Sequence, residues 1–135
     1  MCIEWGSPQF LSMVRSYRDL IVWQRAMQLA EAAYVVSRAL PMEERYGLAS
    51  LLQRAAVSVA ANIAEGHGRV HRREYAHHLS IAVGAVAEIE TLLLLASRLH
   101  VLPTPPMERA TALADETGRM LTTIIQRLKR RSPHP

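Results

Sequence analysis

The sequence predicts an all-α protein, an antiparallel up-down four-helix bundle, on three observations. Four segments repeat apolar residues every three or four positions, no segment alternates as a half-buried strand would, and the links between segments are short. The 135 residues, 50% of them hydrophobic, suit one domain with a sizeable core.

Each element has its own signals. Asp19 is the expected N-cap of the first helix, where Leu20, Trp23, Met27, Ala30, Tyr34 and Leu40 recur near helical spacing until Pro41 ends it. The connector PMEERYG leads to a second helix with a stripe of Leu48, Leu52, Ala55, Ala56, Val59 and Ile63, and Gly66 is its expected stop. Ala55, Ala56, Ala60 and Ala61 would let a neighbouring helix approach closely. The third helix, the longest, is expected to start between His71 and Glu74 and to run to about His100. VLPTPP then reads as a stiff turn before a fourth helix from about Pro106 to Arg130. On its apolar side lie Met107, Ala110, Leu113, Ala114, Leu121, Ile124, Ile125 and Leu128.

The bundle is expected over residues 17–131, between an N-terminal extension over 1–16, expected to be poorly ordered, and a tail over 132–135. Residues 1–12 read as an extension, tag remnant or misplaced start. They lack the charged start and long apolar segment of a secretion signal, and no uninterrupted apolar run reaches about 18 residues. A soluble cytoplasmic protein with no membrane association is expected. Cys2 is the single cysteine, which excludes an internal disulfide and a multi-thiolate metal site.

Net charge is +4 and uneven: residues 1–65 hold six Arg against six acids, whereas residues 66–135 hold ten basic groups against six acids. The excess gathers in two clusters, Arg69, Arg72 and Arg73 beside His67 and His71, and Arg127, Lys129, Arg130 and Arg131 at the end of the last helix. These seven cations are the candidate nucleic-acid contacts, because such groupings attract polyanions. The competing reading of the second cluster is a solvated helix end, where cations complement the helix dipole.

The third helix carries two apolar rows. Leu79, Ala82, Val86, Ile89, Leu93 and Ala96 form one; Ile81, Ala85, Leu92, Leu95 and Leu99 form the other, interrupted by Glu88. A helix apolar on most sides is buried on most sides, and LLLLA at 92–96 is too broad for one small core. The second row is therefore the candidate interface with another subunit, against the alternative of a thick internal core.

The segments YRDLIVWQRAMQLA, ERYGLASLLQRAAVSVAANIAEGHGR and EYAHHLSIAVGAVAEIETLLLLASRL resemble the four-helix bundle protein family, which includes proteins encoded in 23S rRNA intervening sequences. That family is similar to the accessory variability determinant of diversity-generating retroelements. The markers are Asp19-Leu20 with Val22-Trp23, Tyr46-Gly47-Leu48, Arg54-Ala55-Ala56 and Asn62-Ile63-Ala64-Glu65-Gly66, over about Tyr17 to Leu102. The family usually has a proline where Ala60 stands and a serine cap where His71 stands, so the second helix is expected to be straighter here. The resemblance implies a homopentameric barrel of bundles whose basic surfaces engage RNA, DNA or a ribonucleoprotein partner such as a reverse transcriptase.

The polar end of VSVAANIAEGHGRV reads as architecture: Asn62 and Glu65 can satisfy groups at a helix corner or reach Arg54. No enzyme, cofactor or metal is expected. Glu74-x-x-His77 has the spacing of a di-iron ligand pair, but a second such pair is missing, and His67, His71 and His78 lack a carboxylate or thiolate partner. In RREYAHH an Arg and a His separated by four residues match the motif of HEPN ribonucleases, with His as base and Arg on the phosphorane. With fifteen Arg and six His, that spacing also arises by chance. A purely structural, protein-recruiting oligomer is the remaining alternative.

Overall fold

The computed structural model describes residues 16–130. A 3-10 turn at Tyr17–Asp19 precedes α1 (Ile21–Ala39), and a second at Met42–Glu44 precedes α2 (Leu48–His67); α3 (Arg72–Leu99) and α4 (Thr104–Arg130) follow, with no strand among the described residues. A helix of 28 residues such as α3 is about 42 Å long. The four-residue links on either side of it can reach only about 14 Å, so α2, α3 and α4 must alternate in direction. Helices α1 and α3 each pack on α2 and α4, which closes the bundle.

Local chemistry sets the ends. Asp19 is not the N-cap of α1: its carboxylate accepts from the Ser16 amide at 3.3 Å, Ser16 Oγ accepts from the Arg18 amide at 3.1 Å, and Leu20 begins α1 without a side-chain cap. α1 stops at Ala39 because Leu40, which precedes Pro41, is held extended. α4 starts two residues before the expected Pro106. Pro105 and Pro106 belong to its first turn rather than to a stiff link, since first-turn amides need no helical partner.

The core follows the predicted rows in α2, α3 and α4, where Leu48, Leu52, Ala55, Ala56, Val59 and Ile63 are all buried, as are Leu79, Ala82, Val86, Ile89, Leu93 and Ala96. Of the four close-approach alanines, Ala61 is exposed. In α1 the predicted row is displaced. Val22, Ala26, Leu29, Ala33 and Val36 face the core, with Leu20 and Leu40 at its ends, while Met27 is 39% exposed. The smaller residues let α1 approach closely. Trp23 and Tyr34 stay at the margin, where Trp23 stands edge-on to Tyr17 at 5.3 Å and Arg38 lies over Tyr34 at 5.9 Å.

Gly66 also differs from expectation, because α2 continues through it to His67 and ends at Gly68 with φ of −76°. Its role is contact. A β-carbon on Gly66 would stand 2.7 Å from His78 Cβ and 3.1 Å from Tyr75 Cδ1, so α2 and α3 meet there too closely for any side chain.

α3 is long and apolar enough to cross a bilayer by length and composition alone. Here it packs against α2 and α4, and that wide buried arc corrects the second row. Ala85 and Leu92 are 7% and 8% exposed and belong to the chain's own core, whereas Ile81, Leu95 and Leu99 are 42%, 42% and 58% exposed. The part of that row left exposed is therefore Ile81, Leu95 and Leu99.

Candidate nucleic-acid interface

Because successive helices alternate in direction, the end of α2, the start of α3 and the end of α4 share one end of the bundle. The two basic clusters thereby become neighbours. Arg72, Arg73, His77 and Lys129 line an open cleft of about 300 Å³, together with Ala76, Ser80 and Leu128. A second cleft of about 380 Å³ is lined by Arg69, Arg73, Glu74, His77 and His78. Arg73 and His77 belong to both, so the clefts adjoin.

Of the predicted contacts, Arg69, Arg72, Arg73, Lys129 and Arg130 are exposed at this end, and Arg127 is half-buried and outside both clefts. Arg69 pairs with Glu65 at 2.8 Å, an exposed pair worth well under about 1 kcal/mol that leaves the guanidinium open to a second anion. Arg131 lies outside the described residues. Glu74 is the one carboxylate in the lining of either cleft.

The helix dipole separates the two clusters physically. Lys129 and Arg130 stand at the C-terminus of α4, where a cation stabilises the helix; Arg72 and Arg73 stand at the N-terminus of α3, where a cation opposes the dipole. The first pair has a structural reason to be there. The second adds its charge to an end already positive, which favours an anion.

The histidines divide as well. Burial holds His67 below its ordinary value of 6.5, and its ring stands edge-on to Tyr75 at 5.9 Å, so it packs as an uncharged ring. Burial also pushes the Tyr75 phenol up to about 12. His78 Nδ1 lies 3.2 Å from Asn62 Oδ1, while Asn62 Nδ2 donates to the Ser58 carbonyl at 2.9 Å and to Ser58 Oγ at 3.1 Å. Asn62 thus bonds within its own helix and across to α3, and Glu65 takes Arg69 rather than Arg54. No three His, Cys, Asp or Glu side chains gather at metal-holding distance among the described residues. The Ser58–Asn62–His78 link is what sequence reasoning missed, since no local spacing ties Asn62 to a residue of the next helix.

Comparison with known proteins agrees with this architecture. A crystal structure of a protein of unknown function from the S23 ribosomal protein family of Bacteroides thetaiotaomicron superposes with a TM-score of 0.71 at 23% identity, covering 78% of this chain and 98% of that one. At that identity the likeness shows the fold alone. No curated protein matches the chain. The family model described as 23S rRNA-intervening sequence protein matches residues 18–123, well over half of the chain, and the chain belongs to that family.

Proposed function

We propose that the protein is a non-enzymatic accessory factor that binds the phosphate backbone of RNA or DNA through the end of the bundle formed by Arg69, Arg72, Arg73, Lys129 and Arg130. The observation that carries the reading is the pair of adjoining clefts that bring Arg72 and Arg73 of α3 together with Lys129 of α4. Binding is salt-sensitive and weakly sequence-specific, because neither cleft has a Phe, Tyr or Trp on which a base could stack. Oligomerisation belongs to the same proposal. Ile81, Leu95 and Leu99 form an exposed apolar row, and a pentamer would multiply a weak patch by effective concentration. The natural target is then an RNA- or DNA-carrying complex in the cytoplasm, reverse-transcriptase complexes among them. Retention of labelled RNA and DNA on filters across a salt series tests the reading: retention falling steeply with salt supports it, and no retention at low salt discards it. Sedimentation at dilution tests the assembly, which a well-folded single chain would refute.

A ribonuclease reading draws on the same end, because Arg73, His77 and His78 line one cleft. It requires that the protein cut single-stranded RNA and that His77→Ala or His78→Ala abolish the cut. Equal background cleavage by all three proteins rejects it. A structural oligomer that recruits protein instead would have its basic clusters neutralised by Glu residues of neighbouring subunits.

A further inference from the structure

Asn62 fixes the chemistry of His78. Only an N–H can face the Ser58 carbonyl 2.9 Å away, so Asn62 Nδ2 points there and Oδ1 must be the atom that meets His78 Nδ1 at 3.2 Å. An amide oxygen can only accept, so His78 Nδ1 carries the hydrogen, and in the uncharged imidazole the lone pair remains on Nε2. Among the described residues Nε2 has no hydrogen-bond partner. The ring lines the cleft of about 380 Å³ with Arg69 and Arg73. A bare acceptor between arginines gains nothing from a phosphate, whose oxygens also only accept. It gains from a ligand that presents a hydroxyl next to an anionic group, as a ribonucleotide does with its 2′-hydroxyl beside its phosphate.

We propose that this cleft distinguishes RNA from DNA, with Arg73 holding a backbone phosphate and His78 Nε2 accepting a hydrogen bond from the adjacent ribose 2′-hydroxyl. The inference rests on the nucleic-acid reading above and adds sugar selectivity to it. Asn62 is a positioning residue that acts through the tautomer of His78. Two other acceptors line the cleft: the Glu74 carboxylate and the His77 ring, 5.9 Å from that of His78. Among the described residues neither is held by a hydrogen bond in one orientation, so neither is preorganised as His78 is.

The test is filter binding at low salt with one single-stranded sequence made as RNA, as DNA and as 2′-O-methyl RNA. RNA binds about fivefold more tightly than DNA, the size of one net hydrogen bond, and 2′-O-methyl RNA, which lacks the donor, binds like DNA. His78→Phe keeps a ring but no acceptor; it brings RNA down to the level of DNA while DNA binding is unchanged, with circular dichroism confirming that the variant is folded. Glu74→Gln and His77→Phe keep the preference. Equal binding of RNA and DNA, or 2′-O-methyl RNA binding as well as RNA, overturns the inference and leaves the nucleic-acid reading standing. A preference lost in Glu74→Gln or His77→Phe but kept in His78→Phe overturns the assignment to His78. No binding of either polymer overturns both readings.

Discussion

The two ends of the bundle each hold a histidine bonded across to another element, and they use it differently. At the end opposite the basic clusters, His100 Nε2 meets Glu44 Oε2 at 2.7 Å, and the same Glu44 accepts from the Leu48 amide at 3.4 Å through Oε1. Charge there is answered locally. At the basic end His78 meets a neutral amide, and Arg72 and Arg73 crowd a helix terminus whose dipole they oppose. The first end is built around a part-buried ion pair that holds the chain together; the second gathers exposed cations along open clefts and is suited to bind something negative. The difference separates the stabilising part of the molecule from the candidate working part.

The largest expected effect bears on how tightly the basic end is built. Gly66→Ala places a β-carbon 2.7 Å from His78 Cβ, and overpacking of that kind destabilises by about 1–3 kcal/mol, read as a lower denaturation midpoint. Gly84, within α3, is the control: a β-carbon there meets nothing within 4 Å, so Gly84→Ala stabilises by up to about 1 kcal/mol. If both substitutions shift the midpoint alike, the close approach at Gly66 has no energetic weight.

The dipole argument gives a sharper split. Arg73→Gln should weaken nucleic-acid binding and lower the salt slope by about 1, yet raise stability by about 0.3–1 kcal/mol. Lys129→Gln should weaken binding and also lower stability by a similar amount, because it stands at a helix C-terminus. Stability changes of the same sign in the two variants would remove the distinction between the clusters.

Acidification should act on the two ends in turn. His67, held below 6.5 by burial, must take up a proton it resists in the folded chain, so stability falls as pH drops below about 6.5. Glu44 is held below its usual 4.5, chiefly by the hydrogen bond from His100. Its contribution is present above that value and lost as pH falls further. Thermal melts across this range should show a first decline absent in His67→Gln and a second absent in Glu44→Gln. A single decline unchanged by either substitution would contradict the assignment.

Much of this was legible in the sequence because helix rows and breakers are local signals. The row of α2 and the first row of α3 were readable since apolar residues repeat there at helical spacing, whereas the second row of α3 divides between core and surface. α1 was misread because Trp23, Met27 and Tyr34 outrank Val22, Ala26 and Ala33 in size, whereas close packing selected the smaller row. Gly66 was misread because a glycine near a helix end signals termination, and only the neighbouring helix reveals a contact. Residues 69–73 and 127–131 were legible as basic, but the meeting of Arg72 and Arg73 with Lys129 depends on helix direction and length. The Asn62–His78 bond depends on the register between α2 and α3, which no single-helix pattern encodes.

The most direct test of the central claim is where a nucleic acid touches the molecule. Photo-cross-linking of a labelled oligonucleotide, followed by mapping of the attached peptides, should place the cross-links within residues 66–80 and 126–130. Cross-links concentrated within residues 40–50 and 98–104, at the end where Glu44 and His100 pair, would contradict the account.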